Sequence, residues 1–150
     1  MEEQEKRNRI RFEFEAQSQN ESLARSMAAA YILPMDPTVE EVTEVKTAVS
    51  EAVSNAVIHA YPSGLNGGVT VEAERRGARG VVFTIRDQGI GIADVHQAMM
   101  PLFTTGESEE RSGMGFTVME SFMDRVEVHS EPGRGTEVIL FKLLDSGNEW

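Results

Sequence analysis

The chain has 150 residues, of which 40% are hydrophobic and 26% are charged, a balance expected of one globular domain. Its formal net charge of −11 argues against binding the phosphate backbone of a nucleic acid, which needs clustered lysines and arginines. The charge would suit a basic partner, and simple solubility explains it equally well. The absence of cysteine excludes disulfides, thiolate zinc sites and cysteine nucleophiles.

No targeting or membrane segment is visible. The charged start, MEEQEKRNR, is followed by no apolar stretch of signal-peptide type. The longest apolar run, from Met27 to Met35, is too short to cross a membrane. We therefore expect a cytoplasmic protein without membrane association. No repeat or linker divides residues 1–150, so we expect a single domain with flexible tails at 1–8 and 144–150.

The first half of the chain predicts a strand and two helices. Residues 9–15, RIRFEFE, alternate between apolar and charged residues, which is typical of a half-buried strand. Two capping boxes, each with a hydroxyl residue three positions before a glutamate, then predict helices that end near residues 33 and 60: Ser18 with Glu21, and Thr38 with Glu41.

The second half predicts two hairpins with helices between them. The patterns predict a first hairpin with strands over 69–74 and 80–86. A short helix over 94–99 and a longer helix over 113–123 follow, and a second hairpin has strands over 125–130 and 136–143. The polar stretch 101–112, PLFTTGESEERS, is long for a loop and is a candidate mobile lid. Hairpins joined to helical runs predict an antiparallel or mixed sheet with helices on one face.

The first candidate functional group lies on the second predicted helix. Glu51, Asn55 and His59 are spaced four residues apart, so we expect them to share one face. An asparagine oxygen is a suitable ligand for Mg²⁺, and a glutamate one turn away can accept a proton from an attacking hydroxyl. A solvated helix face is the alternative interpretation, and for this triplet alone it is the favoured one.

A glycine-rich segment follows the predicted strand over 80–86. Asp87, Gly89 and Gly91 form a D-x-G-x-G pattern, in which the glycines allow the backbone to approach a ligand closely. A tight turn that begins with aspartate is the alternative interpretation.

Two further glycine motifs lie in the second half. Gly113 and Gly115 stand where a predicted helix begins, and the free N–H groups of a helix start can bind phosphate. Arg111 adds a cation suited to phosphate. Residues 133–136, GRGT, would deliver a threonine hydroxyl at the start of a strand. Each motif is weak alone, because G-x-G strings arise by chance and the second motif is also an ordinary hairpin turn.

The order and spacing of these motifs resemble the GHKL ATPases, which include gyrase, MutL and the histidine kinases. The matches are Glu51 and Asn55 with the N box, Asp87, Gly89 and Gly91 with the first glycine box, Gly113 and Gly115 with the second, and Gly133, Gly135 and Thr136 with the terminal motif. The resemblance extends from about residue 9 to residue 143, and the joint pattern is far more specific than any single motif.

One branch of the GHKL ATPases fits better than the others. The 50 residues that precede Glu51 contain no histidine, whereas a histidine kinase carries a phosphoacceptor histidine upstream of the N box. The segments 19–25, 50–59, 101–105 and 110–116 are similar to the sporulation anti-sigma factor F family. Ser54 stands where that family typically has threonine, and Ala60 stands where it usually has glycine.

The resemblance implies an α/β fold, a two-layer sandwich of the Bergerat (GHKL ATPase) type with a mixed, mostly antiparallel sheet and helices on one face. It implies a protein serine/threonine kinase that uses ATP, ADP and Mg²⁺, sequesters a sporulation sigma factor and phosphorylates a serine of an anti-anti-sigma protein. It also suggests a homodimer. The alternatives are a related general-stress anti-sigma serine kinase, a nucleotide-dependent switch without phosphate transfer, and a domain that binds no nucleotide.

The resemblance also implies roles for individual residues. Glu51 is expected to be the catalytic base, Asn55 to bind Mg²⁺, and Asp87 to accept a hydrogen bond from the adenine amino group. The expected nucleotide-binding residues are Asn55, Asp87, Gly89, Gly91, Thr105, Arg111, Ser112, Gly113, Met114, Gly115, Phe116 and Thr136. Arg25 is the expected partner contact.

Overall fold

The computed structural model describes residues 8–61, 66–99 and 115–145. The elements are β1 (Arg9–Glu15), α1 (Ser18–Ile32), α2 (Val39–Asn55), β2 (Gly68–Arg76), β3 (Gly80–Asp87), α3 (Val95–Ala98), α4 (Gly115–Phe122), β4 (Arg125–Glu131) and β5 (Gly135–Leu143). A 3-10 turn at Leu33–Met35 follows α1, and a π-helical turn at Ala56–Ala60 continues α2.

The five strands form one sheet in the order β1-β2-β3-β5-β4. All four strand pairings are antiparallel, so the described sheet is antiparallel rather than mixed. The pairs β2–β3 and β4–β5 are hairpins, whose short turns require antiparallel strands. The helices α1, α2 and α4 pack together, and the predicted two-layer α/β sandwich is confirmed.

Alternation along the strands decides which side chains meet the helices. Phe83 on β3 lies opposite Leu140 on β5, and both are completely buried. Side chains two residues apart point to the same face of a strand, so Asp87 and Thr136 point to the helix side at the ends of these strands. The buried helix residues that cover this face include Ala24, Ala28 and Ile32 of α1 and Val45, Val49 and Ala52 of α2.

The two expected capping boxes have different outcomes. At the start of α2 the Glu41 N–H donates to Thr38 Oγ1 at 3.0 Å, and the Thr38 N–H donates to Glu41 Oε1 at 2.9 Å, which confirms the box. The box at Ser18 is wrong, since Gln17 is the N-cap and makes no side-chain capping bond. Glu21 is engaged elsewhere: its carboxylate accepts a 2.6 Å hydrogen bond from Ser50 Oγ on α2.

The described C-terminal end is anchored beyond the last strand. Leu144 is buried, and its N–H donates to the carbonyl oxygen of Arg79 at 2.8 Å. The Asp145 N–H donates to Glu41 Oε2 at 2.6 Å. These two residues begin the predicted tail at 144–150, whose flexibility stays a prediction. At the other end, Asn8 accepts a 2.9 Å bond at its carbonyl oxygen from the Tyr31 hydroxyl.

Two further details differ from the predicted pattern. The helix expected over 113–123 is described from Gly115 to Phe122. The long helix expected to reach Ala60 is regular only to Asn55. Within the described residues, no helix combines the length and apolar character needed to cross a membrane.

The contrast between the two helix starts can be tested by stability. Thr38→Ala should lower the free energy of unfolding by about 1 kcal/mol, because the Glu41 N–H at the start of α2 loses its acceptor, Thr38 Oγ1. Ser18→Ala is the matched control and should change it by less than about 0.5 kcal/mol. Urea denaturation of both variants provides the measurement. A loss below about 0.5 kcal/mol in Thr38→Ala would show that the Thr38 cap does not stabilise α2.

Candidate functional site

A buried carboxylate lies where β3 ends. Asp87 is only 8% exposed, and its Oδ1 accepts a 2.9 Å hydrogen bond from the Gly89 N–H. Burial raises the pKa of this carboxyl above its ordinary value, while hydrogen bonds from the backbone of Gly89 and Thr136 oppose that rise. The carboxylate is thus a strong hydrogen-bond acceptor in a poorly hydrated place.

The loop after Asp87 requires glycine at both predicted positions. A Cβ on Gly89 would overlap the carbonyl group of Ala60, and the Ile90 N–H donates to that same carbonyl oxygen at 2.9 Å. Gly91 has φ +81°, and a Cβ there would overlap the carbonyl oxygen of Glu131. The loop therefore lies in backbone contact with both the π turn and the β4–β5 hairpin.

The helix α2 carries the expected catalytic and metal-binding residues. Glu51 and Asn55 are both half-buried and four residues apart in regular helix, so they share one face. His59 lies in the π turn, so the regular four-residue spacing does not extend to it. Such π turns occur frequently at functional sites because they displace the residues that follow.

Sequence reasoning missed Tyr61, which joins three segments near the loop. Its hydroxyl oxygen accepts a 2.7 Å hydrogen bond from the Gln88 N–H and donates to the carbonyl oxygen of Gly68 at 2.9 Å. Burial raises the pKa of this hydroxyl above its ordinary value, so the proton that it donates is retained. A Cβ on Gly67 would overlap the Tyr61 ring, which explains a small residue there.

Sequence reasoning also missed Ser130, which connects two of the predicted motifs. Its hydroxyl receives the Ile92 N–H at 2.7 Å and lies 2.9 Å from the carbonyl oxygen of Gly135 and 2.8 Å from Thr136 Oγ1. The alternation along β4 could have identified it, because Ser130 is a polar residue at a position that faces inward with Val126 and Val128.

A cavity of about 520 Å³ opens at this end of the sheet. Its walls come from the ends of β3, β4 and β5 and from α3, and it is lined by Arg86, Asp87, Gln88, Val95, Val128, His129, Ser130, Glu131, Arg134, Gly135, Thr136 and Glu137. Asp87 and Thr136, from the first and last motifs, therefore meet in one cavity.

The other predicted residues fall into two groups. Gly115 begins α4 and Phe116 follows it, but the Phe116 side chain is buried in the core, so only its backbone is available to a ligand. The remaining expected nucleotide contacts lie outside the described residues, as does the candidate lid at 101–112: Thr105, Arg111, Ser112, Gly113 and Met114.

Arg25, the expected partner contact, is connected to the helix that carries Glu51. Its guanidinium donates to Ser50 Oγ at 3.5 Å and to Ser22 Oγ at 3.4 Å. Ser50 in turn donates to Glu21 at 2.6 Å. The exposed side of α1 is thereby linked to the residue that directly precedes Glu51.

The comparisons with known proteins agree with this arrangement. The family model of the histidine kinase-like ATPase domain matches residues 14–142. The anti-sigma F factor of Bacillus thuringiensis (strain Al Hakam) is 52% identical over 142 residues, which cover 95% of this chain and 97% of that protein. The chain belongs to the anti-sigma F factor family.

A second relative supports the same family, and a solved structure supports the fold. The anti-sigma F factor of Thermoanaerobacter sp. (strain X514) is 48% identical over 127 residues, covering 85% of this chain and 87% of that protein. Among solved structures, the RsbU and RsbW domains of Rv1364c from Mycobacterium tuberculosis superpose with a TM-score of 0.67 at 18% identity, over 91% of this chain and 32% of that one. The predicted family and fold are confirmed, and membership in a kinase-type ATPase family implies nucleotide binding.

The role of Tyr61 can be tested against the other tyrosine of the chain. Tyr61→Phe should weaken ADP binding about threefold to tenfold, because the Gln88 N–H loses its acceptor beside Asp87. Tyr31→Phe is the matched control, since its hydroxyl bonds to Asn8 at the opposite end of the sheet. Isothermal titration with ADP is the measurement. Parental affinity in Tyr61→Phe would contradict the role.

The burial of Asp87 predicts a pH-dependent cost in stability. The folded chain binds the Asp87 proton more tightly than the unfolded chain, whose carboxyl titrates near 3.8. The parent therefore gains stability as the pH falls through the raised pKa toward 3.8. Asp87→Asn lacks this titration, so it should be more stable than the parent at pH 7. The difference in stability between the two proteins should shrink as the pH falls from the raised pKa of Asp87 toward 3.8.

Thermal unfolding of ligand-free Asp87→Asn between pH 3 and pH 7 measures this difference, at pH values chosen to bracket the titration of a carboxyl whose ordinary value is 3.8. Asp36→Asn, at an exposed carboxylate, controls for the change in net charge. A stability difference that is constant with pH would contradict the burial argument.

Proposed function

We propose that this protein is an ATP-dependent anti-sigma factor that sequesters a sporulation sigma factor in the cytoplasm and phosphorylates a serine of its anti-anti-sigma antagonist. The strongest support is the 52% identity, over 95% of the chain, with a protein named anti-sigma F factor. The buried Asp87 carboxylate and the α2 residues Glu51 and Asn55 supply the groups that such a protein needs.

The shape and chemistry of the cavity fit the base of a nucleotide. Asp87 provides a buried acceptor for the adenine amino group, and Thr136 lines the same cavity. Gly91 lets the loop after Asp87 pack directly against the Glu131 carbonyl oxygen, which holds this loop beside the hairpin that carries Thr136. When bound, ATP would supply the phosphoryl group and Mg²⁺ would neutralise phosphate charge.

The proposed Mg²⁺ contact is limited to Asn55, whose amide oxygen is a neutral hard ligand. Among the described residues, no group of three or more His, Asp or Glu side chains could hold a metal by itself. In nucleotide sites Mg²⁺ is held by one or two protein oxygens together with the phosphates and water. Asn55 would therefore bind the ion only together with the nucleotide.

We assign proton transfer to Glu51. It lies one helical turn from Asn55, so their Cβ atoms are about 6 Å apart and face the same side. A carboxylate in this place can accept the hydroxyl proton of an incoming serine as the oxygen attacks phosphorus. Glu51 would then act in the transition state and contribute little to nucleotide affinity.

The proposed partner surface includes Arg25 on α1, with its side chain held by Ser50 and Ser22. Because Ser50 directly precedes Glu51, a partner that moves Arg25 would act on a residue of the catalytic helix. The proposal includes a homodimer, which sedimentation equilibrium would test.

The kinase assignment is tested by Glu51→Gln, which keeps the shape of the side chain and removes the base. It should retain ADP affinity within about twofold and lose at least about 100-fold in phosphate transfer to the anti-anti-sigma protein of the same genome, as measured by mass spectrometry of the phosphoserine. Glu40→Gln, on an exposed position of the same helix, is the control.

Transfer at the parental rate by Glu51→Gln would show that Glu51 is not the base. Absence of transfer in the parent, with intact nucleotide binding, would favour a switch that transfers no phosphate. Capture of a sigma factor from a sporulating lysate, in the presence of ATP and then of ADP, would test sequestration separately.

A further inference from the structure

The hydroxyl of Ser130 has three hydrogen-bonding neighbours in the part of the proposed site that would bind the base of the nucleotide. They are the Ile92 N–H at 2.7 Å, the carbonyl oxygen of Gly135 at 2.9 Å and the hydroxyl of Thr136 at 2.8 Å. Ser130 is half-buried on the helix side of β4, so these contacts determine how its proton and lone pairs are used.

The direction of each hydrogen bond follows from what the neighbours can do. A serine hydroxyl has one proton to donate and two lone pairs to accept. The Ile92 N–H can only donate, and the Gly135 carbonyl can only accept, so Ser130 accepts from the first and donates to the second. Its second lone pair then accepts a hydrogen bond from the Thr136 hydroxyl, so the proton and both lone pairs of Ser130 are all used.

This assignment fixes what Thr136 presents to a ligand. Its only hydroxyl proton is used in the bond to Ser130, so Thr136 Oγ1 can only accept a further hydrogen bond. Asp87 is the cross-strand neighbour of Thr136 and lines the same cavity. Its ionised carboxylate is also an acceptor. Both side chains therefore favour a ligand edge that carries N–H groups.

From this hydroxyl arrangement we infer that Ser130 is a positioning residue that determines specificity. By accepting a hydrogen bond from the Thr136 hydroxyl, it leaves Thr136 only as an acceptor toward a ligand. The cavity therefore selects a purine that carries an amino group over one that carries a carbonyl group at the same position. This inference rests on the proposed nucleotide site and adds a second determinant to Asp87. Guanine would place its O6 against two acceptors, and a site built around such hydrogen bonds rejects the mismatched ligand.

The test compares ADP with GDP by isothermal titration in the parent and three serine variants. The parent should prefer ADP strongly. In Ser130→Ala the freed Thr136 proton can donate to O6, so the ratio of GDP to ADP dissociation constants should fall about tenfold. Ser130→Thr keeps a hydroxyl and should restore the ratio. Ser121→Ala removes an exposed hydroxyl bonded to the Thr117 carbonyl oxygen and should leave the ratio unchanged.

The ratio separates specificity from a structural effect. Ser130→Ala also removes the acceptor of the Ile92 N–H, which could distort the loop. A distorted loop would weaken the binding of ADP and GDP together and leave the ratio of their dissociation constants unchanged. If Ser130→Ala does not fold, Thr136→Val provides the second measurement. It removes the acceptor and should lower the ratio by a similar factor.

Two outcomes would overturn the inference, and they are distinguishable. A parent that binds ADP and GDP equally would overturn base recognition by Asp87 together with the role of Ser130. A parent that discriminates, with an unchanged ratio in Ser130→Ala or Thr136→Val, would overturn the role of Ser130 alone and leave the proposed nucleotide site intact.

Discussion

The carboxylate of Asp87 is withdrawn from water at the end of the central strand, and the surrounding segments make that burial tolerable. The backbone of Gly89 and Thr136 hydrogen-bonds to it, while the apolar core around Phe83 fixes the strand that carries it. A charged group in such a place costs free energy in the empty protein. The same group becomes useful when a ligand brings the matching N–H donor.

The candidate site divides between two layers of the sandwich. The sheet holds Asp87 and Thr136 at the ends of β3 and β5, whereas α2 holds Glu51 and Asn55 in half-buried positions. The bond from the Ile90 N–H to the Ala60 carbonyl oxygen joins the loop after Asp87 to the turn that continues α2. A ligand that moved this loop would therefore also act on the helix that carries the proposed catalytic residues.

Local patterns predicted the elements well, and contacts distant in sequence account for the failures. Strict alternation identified β1, and the Thr38 cap needs only the neighbouring Glu41. The Ser18 cap fails because Glu21 is engaged by Ser50, which is 29 residues away. The roles of Tyr61 and Ser130 could not be predicted, because their partners belong to segments that only the folded sheet brings together. The assigned roles of Glu51 and Asn55 still rest on resemblance.

The π turn at Ala56–Ala60 decides where the end of the helix points. A π turn holds one residue more than a regular helical turn. Winding the same residues as regular helix would rotate the Ala60 carbonyl by about 100° around the axis, away from the Ile90 N–H, because each residue of a regular helix turns the chain by about that angle. The contact between the end of the helix and the loop after Asp87 therefore depends on this local unwinding, and a substitution that restores regular winding should break it.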